Sequence, residues 1–507
     1  MTCDMLPALL MLLNMQATGL GYTFPDGFMF GASTSAYQTE GAWNVDGRGP
    51  TIWDTTIHAY PDVIADHSNA DDADLSYYKF KEDSHLVKDM GMHFYSFSIS
   101  WTRIMPTGLA NSINVKGLEH YNKVIDDLLE KGITPIVKMY HFDMPQYLQN
   151  LGGWTNPYII GAFKEYARIL FKNFGDRVQY WATMNEPNME CLEYEASQFI
   201  KVLNFSAPGV GCYLALRNML LAHAEVYHLY DKEFRPSQNG RISIIINLFW
   251  YEPLNPKSTE DQEAVIRQRQ IDLGWFAHPV YSTDGDYPQL LKDRVAANSK
   301  KEGFPSSRLQ YFTPEEIKFV RGTADFFALN HYATFLVTSC KDWSGPSLSR
   351  DIGTNTSALW WLPSQPLFPE ISVAPEGIRR VLNYIKQNFG DWEILITENG
   401  FPDAGGLNDP MRQLYIGTYL AEILKAIHID GVKVFGYAIW SIIDNFEWNK
   451  GYTTKFGLYS VNFSDPRRPR TPKDSAKLMK EIISTHKVPN EYLYLGNELS
   501  LDVRPAH

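Results

Sequence analysis

Residues 394–401 read ILITENGF, and this stretch carries information about both the fold and the chemistry of the chain. Three apolar residues in alternation with Thr397 predict a short buried strand, and the Asn-Gly pair after it predicts a sharp turn. Glu398 lies where the strand opens into the turn. A carboxylate at such a position is costly unless its charge is used, so Glu398 is a candidate functional residue.

A second stretch far upstream has the same arrangement. Residues 181–187 read WATMNEP, a short apolar run followed by Asn185, Glu186 and a proline that ends the strand. Two carboxylates in this setting suggest the paired acid and nucleophile of glycoside hydrolysis. That chemistry requires a fold that brings Glu186 and Glu398 together.

Composition narrows the class of protein. The chain has 507 residues, of which 44% are hydrophobic and 21% charged, as expected for a globular protein with a large core. Barrels with insertions reach this length as one domain. The net charge of −12 argues against nucleic acid or an anionic membrane as a partner. The 14% of aromatic residues suits either sugar-stacking platforms or a large core.

The N-terminal residues predict a targeting segment. Residues 1–19 contain an apolar run too short to span a membrane, and Ala17 and Gly19 form a small-residue cleavage pattern. We therefore expect a signal peptide and a secreted protein, extracellular or in a gut lumen, although the segment lacks a basic start. Three sequons are compatible with a secreted glycoprotein: Asn204, Asn355 and Asn462.

The cysteines do not form a disulfide framework. Cys3 leaves with the signal peptide, which leaves Cys191, Cys212 and Cys340. A bridge between Cys191 and Cys212 is possible, and buried free thiols are the favoured interpretation. No residues have metal-ligand spacing, so neither a metal nor another cofactor is expected.

Between residues 20 and 487, a short apolar strand followed by a longer helical pattern recurs. Eight such strands predict an α/β fold, a single (β/α)8 TIM barrel with long βα loops. A doubly wound sheet is the alternative, but no Gly-rich phosphate loop follows the first strand. Residues 488–507 form a tail to which we assign no role. The predicted strands are 28–37, 94–101, 134–141, 178–186, 242–248, 325–332, 394–398 and 434–441.

Polar residues recur at the C-terminal ends of these strands, the edge at which barrel active sites lie. One polar strand end is usually structural, but a full set at one edge favours a site. The set is Gln38, His141, Asn185, Glu186, Asn330, Tyr332 and Glu398.

These residues lie in motifs that resemble glycoside hydrolase family 1, and in particular insect β-glucosidases and myrosinases. The resemblance covers about residues 22–487 and implies a (β/α)8 barrel. It also implies hydrolysis of β-glycosides, chiefly small-molecule β-glucosides, with retention of the configuration at the anomeric carbon. The motifs are TMNEP, ITENG, FGASTSAYQTEG (30–41), YHFDMPQ (140–146), ALNHY (328–332) and WSIIDNFEW (440–448).

The resemblance implies that Glu186 is the acid/base and Glu398 the nucleophile. A retaining site needs the two carboxyls about 5 to 5.5 Å apart, with one protonated and one ionised. We expect the charge on Glu398 to raise the pKa of Glu186 and so keep the acid loaded. Tyr332 would orient Glu398, and Trp440 would lie under the pyranose. The expected substrate-binding residues are Gln38, His141, Asn185, Asn330, Tyr332, Trp440, Glu447 and Trp448.

Two departures from the family pattern concern the site. Ser96 replaces an arginine whose guanidinium supports the nucleophile, and a serine offers one neutral hydrogen bond and no charge. We therefore expect a weakened or specialised Glu398. Phe142 replaces a tryptophan and loses an indole N–H donor.

Two alternative functions stay open at this point. One is a catalytically impaired barrel that binds glycosides or a protein partner, which Ser96 and Phe142 favour. The other is a myrosinase-type thioglucosidase, which requires basic residues facing the aglycone sulfate. The insertion 341–373 follows the sixth strand and is expected to wall the aglycone side with tryptophans. The tryptophans of the insertion are Trp343, Trp360 and Trp361. The basic residues that could face a sulfate are Lys201, Arg217 and Lys341.

Overall fold

The computed structural model describes residues 22–196, 207–341, 345–359 and 371–499, together with Leu501. Several sequence predictions lie outside these residues. They are the signal peptide 1–19, Lys201, the sequon at Asn204, and Trp343, Trp360 and Trp361.

Eight parallel strands form a closed barrel in which each strand pairs with its neighbours in chain order and the last pairs with the first. The predicted α/β class and the single (β/α)8 barrel are therefore confirmed, and all eight predicted strands exist. The strands are β1 (Met29–Ser33), β2 (Phe94–Ser98), β3 (Thr134–Lys138), β4 (Tyr180–Asn185), β5 (Arg241–Asn247), β6 (Phe327–Asn330), β7 (Ile394–Asn399) and β8 (Val434–Trp440).

Helices cover the outside of the barrel and bury one apolar face each, as a 3.6-residue period dictates. In the helix Tyr158–Phe174, for example, Phe163, Tyr166 and Leu170 are fully buried. The principal helices that follow the strands are Ser76–Asp89, Val115–Glu130, Tyr158–Phe174, Gly211–Glu233, Gly274–Tyr281, Glu376–Phe389, Pro410–His428 and Asp474–Thr485. Further helices are Ala36–Thr39, Ile52–Ala59, Trp101–Ile104, Gln146–Asn150, Pro187–Ala196, Arg235–Gln238, Thr259–Gln268, Gln289–Lys301, Pro314–Val320, Leu348–Ile352 and Asn490–Glu498.

The barrel interior changes from apolar to polar along the strands. Its lower part is filled by one buried apolar cluster that includes Phe94, Ile136 and Ala438. Because side chains alternate between the two faces of a strand, the residues two positions further on also point inward. On β2 and β3 these residues are Ser96 and Lys138, both fully buried. The floor of any site at the C-terminal edge is therefore polar.

A disulfide joins Cys191 to Cys212. The preference for buried free thiols at these positions is therefore wrong, and the bridge is present because the helices Pro187–Ala196 and Gly211–Glu233 pack side by side. In the chain-entropy model, a loop of 21 residues closed in this way contributes about 3 kcal/mol to stability. The first of the two helices begins directly after Glu186, so the bridge also holds the backbone behind that residue.

The C-terminal residues pack against the barrel helices. The helix Asn490–Glu498 lies on the helix Pro410–His428, where the Tyr492 ring occupies the space that a side chain at Gly417 would need. Beyond it, the Leu501 backbone N–H donates to the Glu376 carboxylate at 2.7 Å. The described part of the predicted tail is thus packed on the domain.

Candidate active site

A cavity of about 460 Å³ opens at the C-terminal edge of the barrel. Eight of the ten predicted site residues line it, and Gln38 and Asn330 lie behind it, hydrogen-bonded to residues that do. The eight are His141, Asn185, Glu186, Tyr332, Glu398, Trp440, Glu447 and Trp448.

Glu398 is 3% exposed near the end of β7, and each of its carboxylate oxygens has a named partner. The Lys138 ammonium lies 3.1 Å from Oε1, and the Tyr332 hydroxyl donates to Oε2 at 2.9 Å. Glu398 therefore has a cationic neighbour although Ser96 itself carries no charge; the expectation of a weakened or specialised Glu398 stays a prediction. The Ser96 hydroxyl itself has no hydrogen-bond partner among the described residues.

Gly400 allows the chain after Glu398 to pass close to β8. The predicted turn does not place this glycine at positive φ. Instead, a Cβ at this position would lie 2.0 Å from the Trp440 backbone oxygen. The preceding Asn399 is buried, and its side chain donates to the His331 carbonyl at 2.6 Å. Close packing between β7 and β8 therefore holds the segment that carries Glu398.

Glu186 directly follows β4 and has a left-handed backbone conformation, with φ of 43°. A non-glycine residue held in this region costs free energy, and such residues are concentrated at functional sites. Burial, followed by the charge on Glu398, raises the pKa of Glu186 to about 8. Hydrogen bonds from Asn330 and Asn247 and the charge on Lys138 oppose this shift. The Glu186 carboxyl is consequently protonated at neutral pH.

Asn330 connects the strands that carry the two carboxyl groups. Its side-chain amide donates to Glu186 Oε1 at 2.6 Å and to Asn185 Oδ1 at 3.2 Å. Its oxygen accepts a hydrogen bond from Thr397 at 2.6 Å, and its backbone is in register with Glu398. The relative positions of β4, β6 and β7 are thereby coupled at the level of the site.

His141 lies between the rings of two tryptophans. Its imidazole is nearly parallel to Trp440 at 5.8 Å and to Trp448 at 5.9 Å, measured between ring centroids. Burial and then the Lys138 charge lower the pKa of His141 well below its usual value. The imidazole is therefore neutral, which gives the cavity one ring N–H donor and one ring nitrogen acceptor. The Asn185 side chain lies 3.4 Å from Nε2.

Gln38 and Glu447 form the opposite polar wall. The Gln38 amide donates to the Phe446 carbonyl at 2.9 Å and approaches Glu447 Oε2 at 3.4 Å. Burial, followed by the charge on Glu398, raises the pKa of Glu447 to about 8. A protonated carboxyl at this wall can both donate and accept hydrogen bonds, which suits a ligand rich in hydroxyl groups.

The outer part of the cavity is mostly apolar and was only partly anticipated from the sequence. Phe142, predicted for the site, lies here with its ring 5.4 Å from that of Trp448. Glu190 adds a buried carboxyl whose Oε1 accepts a hydrogen bond from Tyr140, and burial raises its pKa to about 8. Further residues of this wall are Ile52, Trp53, Met189, Glu193, Phe249, Phe335 and Ile371.

Two of the basic residues considered for sulfate binding lie elsewhere. Arg217 is paired with Glu316 at 2.5 Å, and Lys341 approaches Glu260 at 3.3 Å on the surface. Neither lines the cavity. Among the described lining residues, the cation is Lys450.

Lys138 is the functional candidate that the sequence prediction missed. A signal for it was available, because residues 134–138 read TPIVK and place a lysine at the end of a buried apolar strand. This is the same kind of costly buried charge that identified Glu398.

Within the described ranges, no cluster of three or more His, Cys, Asp or Glu residues could hold a metal ion. No helix in the described part of the chain is long and apolar enough to cross a membrane. The cavity pairs a protonated carboxyl, Glu186, with an ion-paired carboxylate, Glu398.

Comparison with known proteins places this site in a family. Residues 21–488 match the model of glycosyl hydrolase family 1. The chain is 46% identical to Myrosinase 1 of Brevicoryne brassicae over 470 residues, 92% of this chain and 100% of that one. It is 43% identical to the cytosolic beta-glucosidase of Homo sapiens over 466 residues, 91% of this chain and 98% of that one.

Solved structures agree. The structure of an aphid myrosinase superimposes with a TM-score of 0.88 at 46% identity, covering 92% of this chain and 100% of that chain. A family match over nearly the whole chain, relatives above 40% identity and a shared barrel lead to one conclusion. The chain belongs to glycosyl hydrolase family 1 and is a retaining β-glycoside hydrolase.

Proposed function

We propose that the protein is a β-glucosidase in which Glu186 is the acid/base and Glu398 the nucleophile. In the first step a Glu398 oxygen attacks the anomeric carbon, the bond to the aglycone oxygen breaks, and that oxygen takes the Glu186 proton. In the second step a water molecule gives a proton to Glu186 and attacks the anomeric carbon. The ester bond to Glu398 breaks as the bond to water forms, which regenerates the Glu398 carboxylate, and the sugar leaves with its original β configuration.

The observation that carries this assignment is the opposite electrostatic setting of the two carboxyls. Burial and the charge on Glu398 keep Glu186 protonated up to about pH 8. Glu398 is held by the Lys138 ammonium and the Tyr332 hydroxyl, both of which favour the ionised form of a carboxyl group. A loaded acid and a charged nucleophile in one cavity are the resting state that retaining hydrolysis requires.

The remaining predicted residues suit the recognition of one pyranose. We assign the stacking platform to Trp440, at the end of β8, and the 2-hydroxyl contact to Asn185, beside the acid. Gln38, His141 and Glu447 supply donors and acceptors that are buried and held by neighbouring groups. Hydrogen-bonding groups that are already held in place stabilise the transition state strongly, because they need not reorganise as charge develops on the sugar. Asn330 and Tyr332 support the two carboxyls, and Trp448 covers the opening.

The site favours an enzyme over a binding module. A binding module has no need of a buried acid with a pKa near 8 or of a buried ion pair, and both are expensive to maintain. The premise for impaired catalysis was a nucleophile without a charged partner, and Lys138 removes that premise.

We favour an O-glucoside with an apolar aglycone over a glucosinolate. The outer wall combines aromatic and aliphatic residues with the carboxyls of Glu190 and Glu193. A sulfate on the aglycone would have to give up water for a largely apolar wall, with Lys450 as the cation among the described lining residues. Burying an anion without enough positive charge to pair with it lowers affinity.

We also propose that the protein is secreted and glycosylated. Residues 1–19 have a signal-peptide pattern. The Cys191–Cys212 disulfide is of a kind that persists in oxidising compartments. The sequon residues Asn355 and Asn462 are exposed.

Expression of the full chain in a eukaryotic host tests secretion. We expect the protein in the culture medium, lacking residues 1–19, with a mass that falls on treatment with a peptide N-glycosidase. Retention of an uncleaved, unglycosylated chain inside the cells would contradict the proposal.

The two glutamates are expected to give opposite azide-rescue products. In Glu186→Ala, glycosylation by a dinitrophenyl β-glucoside proceeds because this leaving group needs no acid, and azide then releases β-glucosyl azide. In Glu398→Ala, azide enters the vacated space and gives α-glucosyl azide in a single displacement. NMR of the products distinguishes the two anomers. On aglycones that do need an acid, Glu186→Ala is expected to lose roughly 10²- to 10⁴-fold in rate. The same azide anomer from both variants would refute the assigned roles.

The pH dependence reports on Glu186. Because its pKa is raised, the acid is loaded below about pH 8 and is lost as the pH rises through that value. We expect kcat/KM for an aryl β-glucoside to fall on the alkaline side near pH 8. In Asn330→Ala this limb is expected at higher pH, since a hydrogen bond that stabilises the charged form is removed. An activity that already declines near pH 5, or a limb that moves to lower pH, would contradict this assignment.

The preference for a neutral over an anionic aglycone can be tested with matched substrates. We expect 4-nitrophenyl β-glucoside to be hydrolysed with kcat/KM at least about 10-fold above that for allyl glucosinolate, given the typical cost of burying an anion in a largely apolar wall. A neutral aryl 1-thio-β-glucoside is the control for the sulfur atom. Faster turnover of the glucosinolate would instead support the thioglucosidase alternative.

A further inference from the structure

Lys138 is a fully buried lysine at the end of β3 with its ammonium inside the barrel. Its Nζ donates to Ser33 Oγ at 2.7 Å and to Glu398 Oε1 at 3.1 Å. The same atom lies 5.4 Å from the centre of the Trp440 ring, within range of a cation–π contact. A buried ammonium is expensive, and its cost is offset here by an opposite charge and by two hydrogen bonds.

The path of the lysine side chain crosses the strand that carries Ser96. Ser33 on β1 is in register with Ser96 on β2, and Ser96 is in register with Ile136 on β3. Neighbouring strands lie about 4.8 Å apart. A side chain that starts on β3 and bonds to Ser33 therefore passes over the interior face of β2. Ser96 lies on that face, two residues after Phe94 of the interior cluster.

A small residue at position 96 is what makes this path available. The resemblance in sequence implies an arginine at position 96 in the family, and an arginine there would project into the same layer of the barrel. Two long cationic side chains in that layer would compete for space and would repel each other without water to screen them. The small side chain of Ser96 thus leaves the space that the Lys138 side chain occupies.

We propose that Lys138 is the positioning residue for the nucleophile, and that it supplies from β3 the positive charge that the family supplies from β2. This proposal rests on the function proposed above. Lys138 holds Oε1 while Tyr332 holds Oε2, so the Glu398 carboxylate is oriented through both of its oxygens.

The same ammonium serves both steps of the reaction. Before the first step the negative charge of the pair is on Glu398. When Glu398 becomes an ester and Glu186 has given up its proton, that charge is on Glu186. Lys138 also acts electrostatically on Glu186, where its charge opposes the rise of the pKa. One fixed cation therefore stabilises the site while one negative charge moves from one carboxyl to the other.

Charge removal and charge relocation test the proposal. Lys138→Met keeps the length of the side chain without its charge, and we expect kcat/KM for an aryl β-glucoside to fall by roughly 10²-fold or more, as for other preorganised charged partners. The acid limb of the pH–rate profile is expected at higher pH, because the ionised nucleophile has lost its cation. A purely structural lysine would change the melting temperature without moving that limb.

The double variant Ser96→Arg/Lys138→Thr returns the cation to β2. Compared with Lys138→Thr, we expect this double variant to have a higher kcat/KM and an acid limb of the pH–rate profile that returns towards its wild-type pH. Ser96→Arg alone is expected to lose activity, because its guanidinium and the Lys138 ammonium would occupy the same space and repel each other. Wild-type activity in Lys138→Met would overturn the proposal. So would a folded double variant that is no better than Lys138→Thr.

A double-mutant cycle measured by melting temperature tests the ion pair even if the wild-type protein is inactive or a variant is unstable. Lys138→Met is expected to lower the melting temperature less in a Glu398→Gln background than in the wild type, because the charge that it serves is absent there. Equal changes in melting temperature in both backgrounds would contradict an energetic interaction between Lys138 and Glu398. An inactive wild type with unequal shifts would refute the proposed function and leave the positioning role supported.

Discussion

The site depends on two buried carboxyl groups that share one negative charge. Two ionised carboxylates in a low-dielectric cavity repel each other, and two protonated ones provide no nucleophile. The protein separates their behaviour by giving them different surroundings. Glu186 is buried and faces the charge on Glu398, whereas Glu398 has an ammonium and a phenolic hydroxyl as neighbours. The other polar groups of the cavity are arranged around this asymmetry.

The barrel makes this arrangement rigid. Parallel strands that close on themselves bring their C-terminal ends to one edge, so β4 and β7 present Glu186 and Glu398 to the same cavity. Asn330 ties both strands to β6, and the missing side chain of Gly400 lets β7 and β8 approach closely. The strained backbone at Glu186 is held from the other side by the helix that follows it and by that helix's disulfide.

In the proposed arrangement the cation beside Glu398 comes from β3 rather than from β2. What Glu398 requires is positive charge at a defined distance, and the interior of a barrel offers several strands from which a long side chain can reach that point. A substitution at Ser96 considered alone suggests a loss of function. Considered with Lys138, it is half of a pair that preserves the charge.

The sequence by itself determined the elements and the edge at which function lies. Alternating apolar strands and helices predicted eight strands and the barrel, because these periodicities are local properties. Polar residues at strand ends identified the two carboxyls of the cavity and several of the polar residues beside them. Only the tertiary structure decided which side chains meet across the barrel. Lys138 reaches Ser33 and Glu398 across segments far apart in the chain, whose proximity follows from strand register and closure. The bridge between Cys191 and Cys212 follows from the packing of two neighbouring helices.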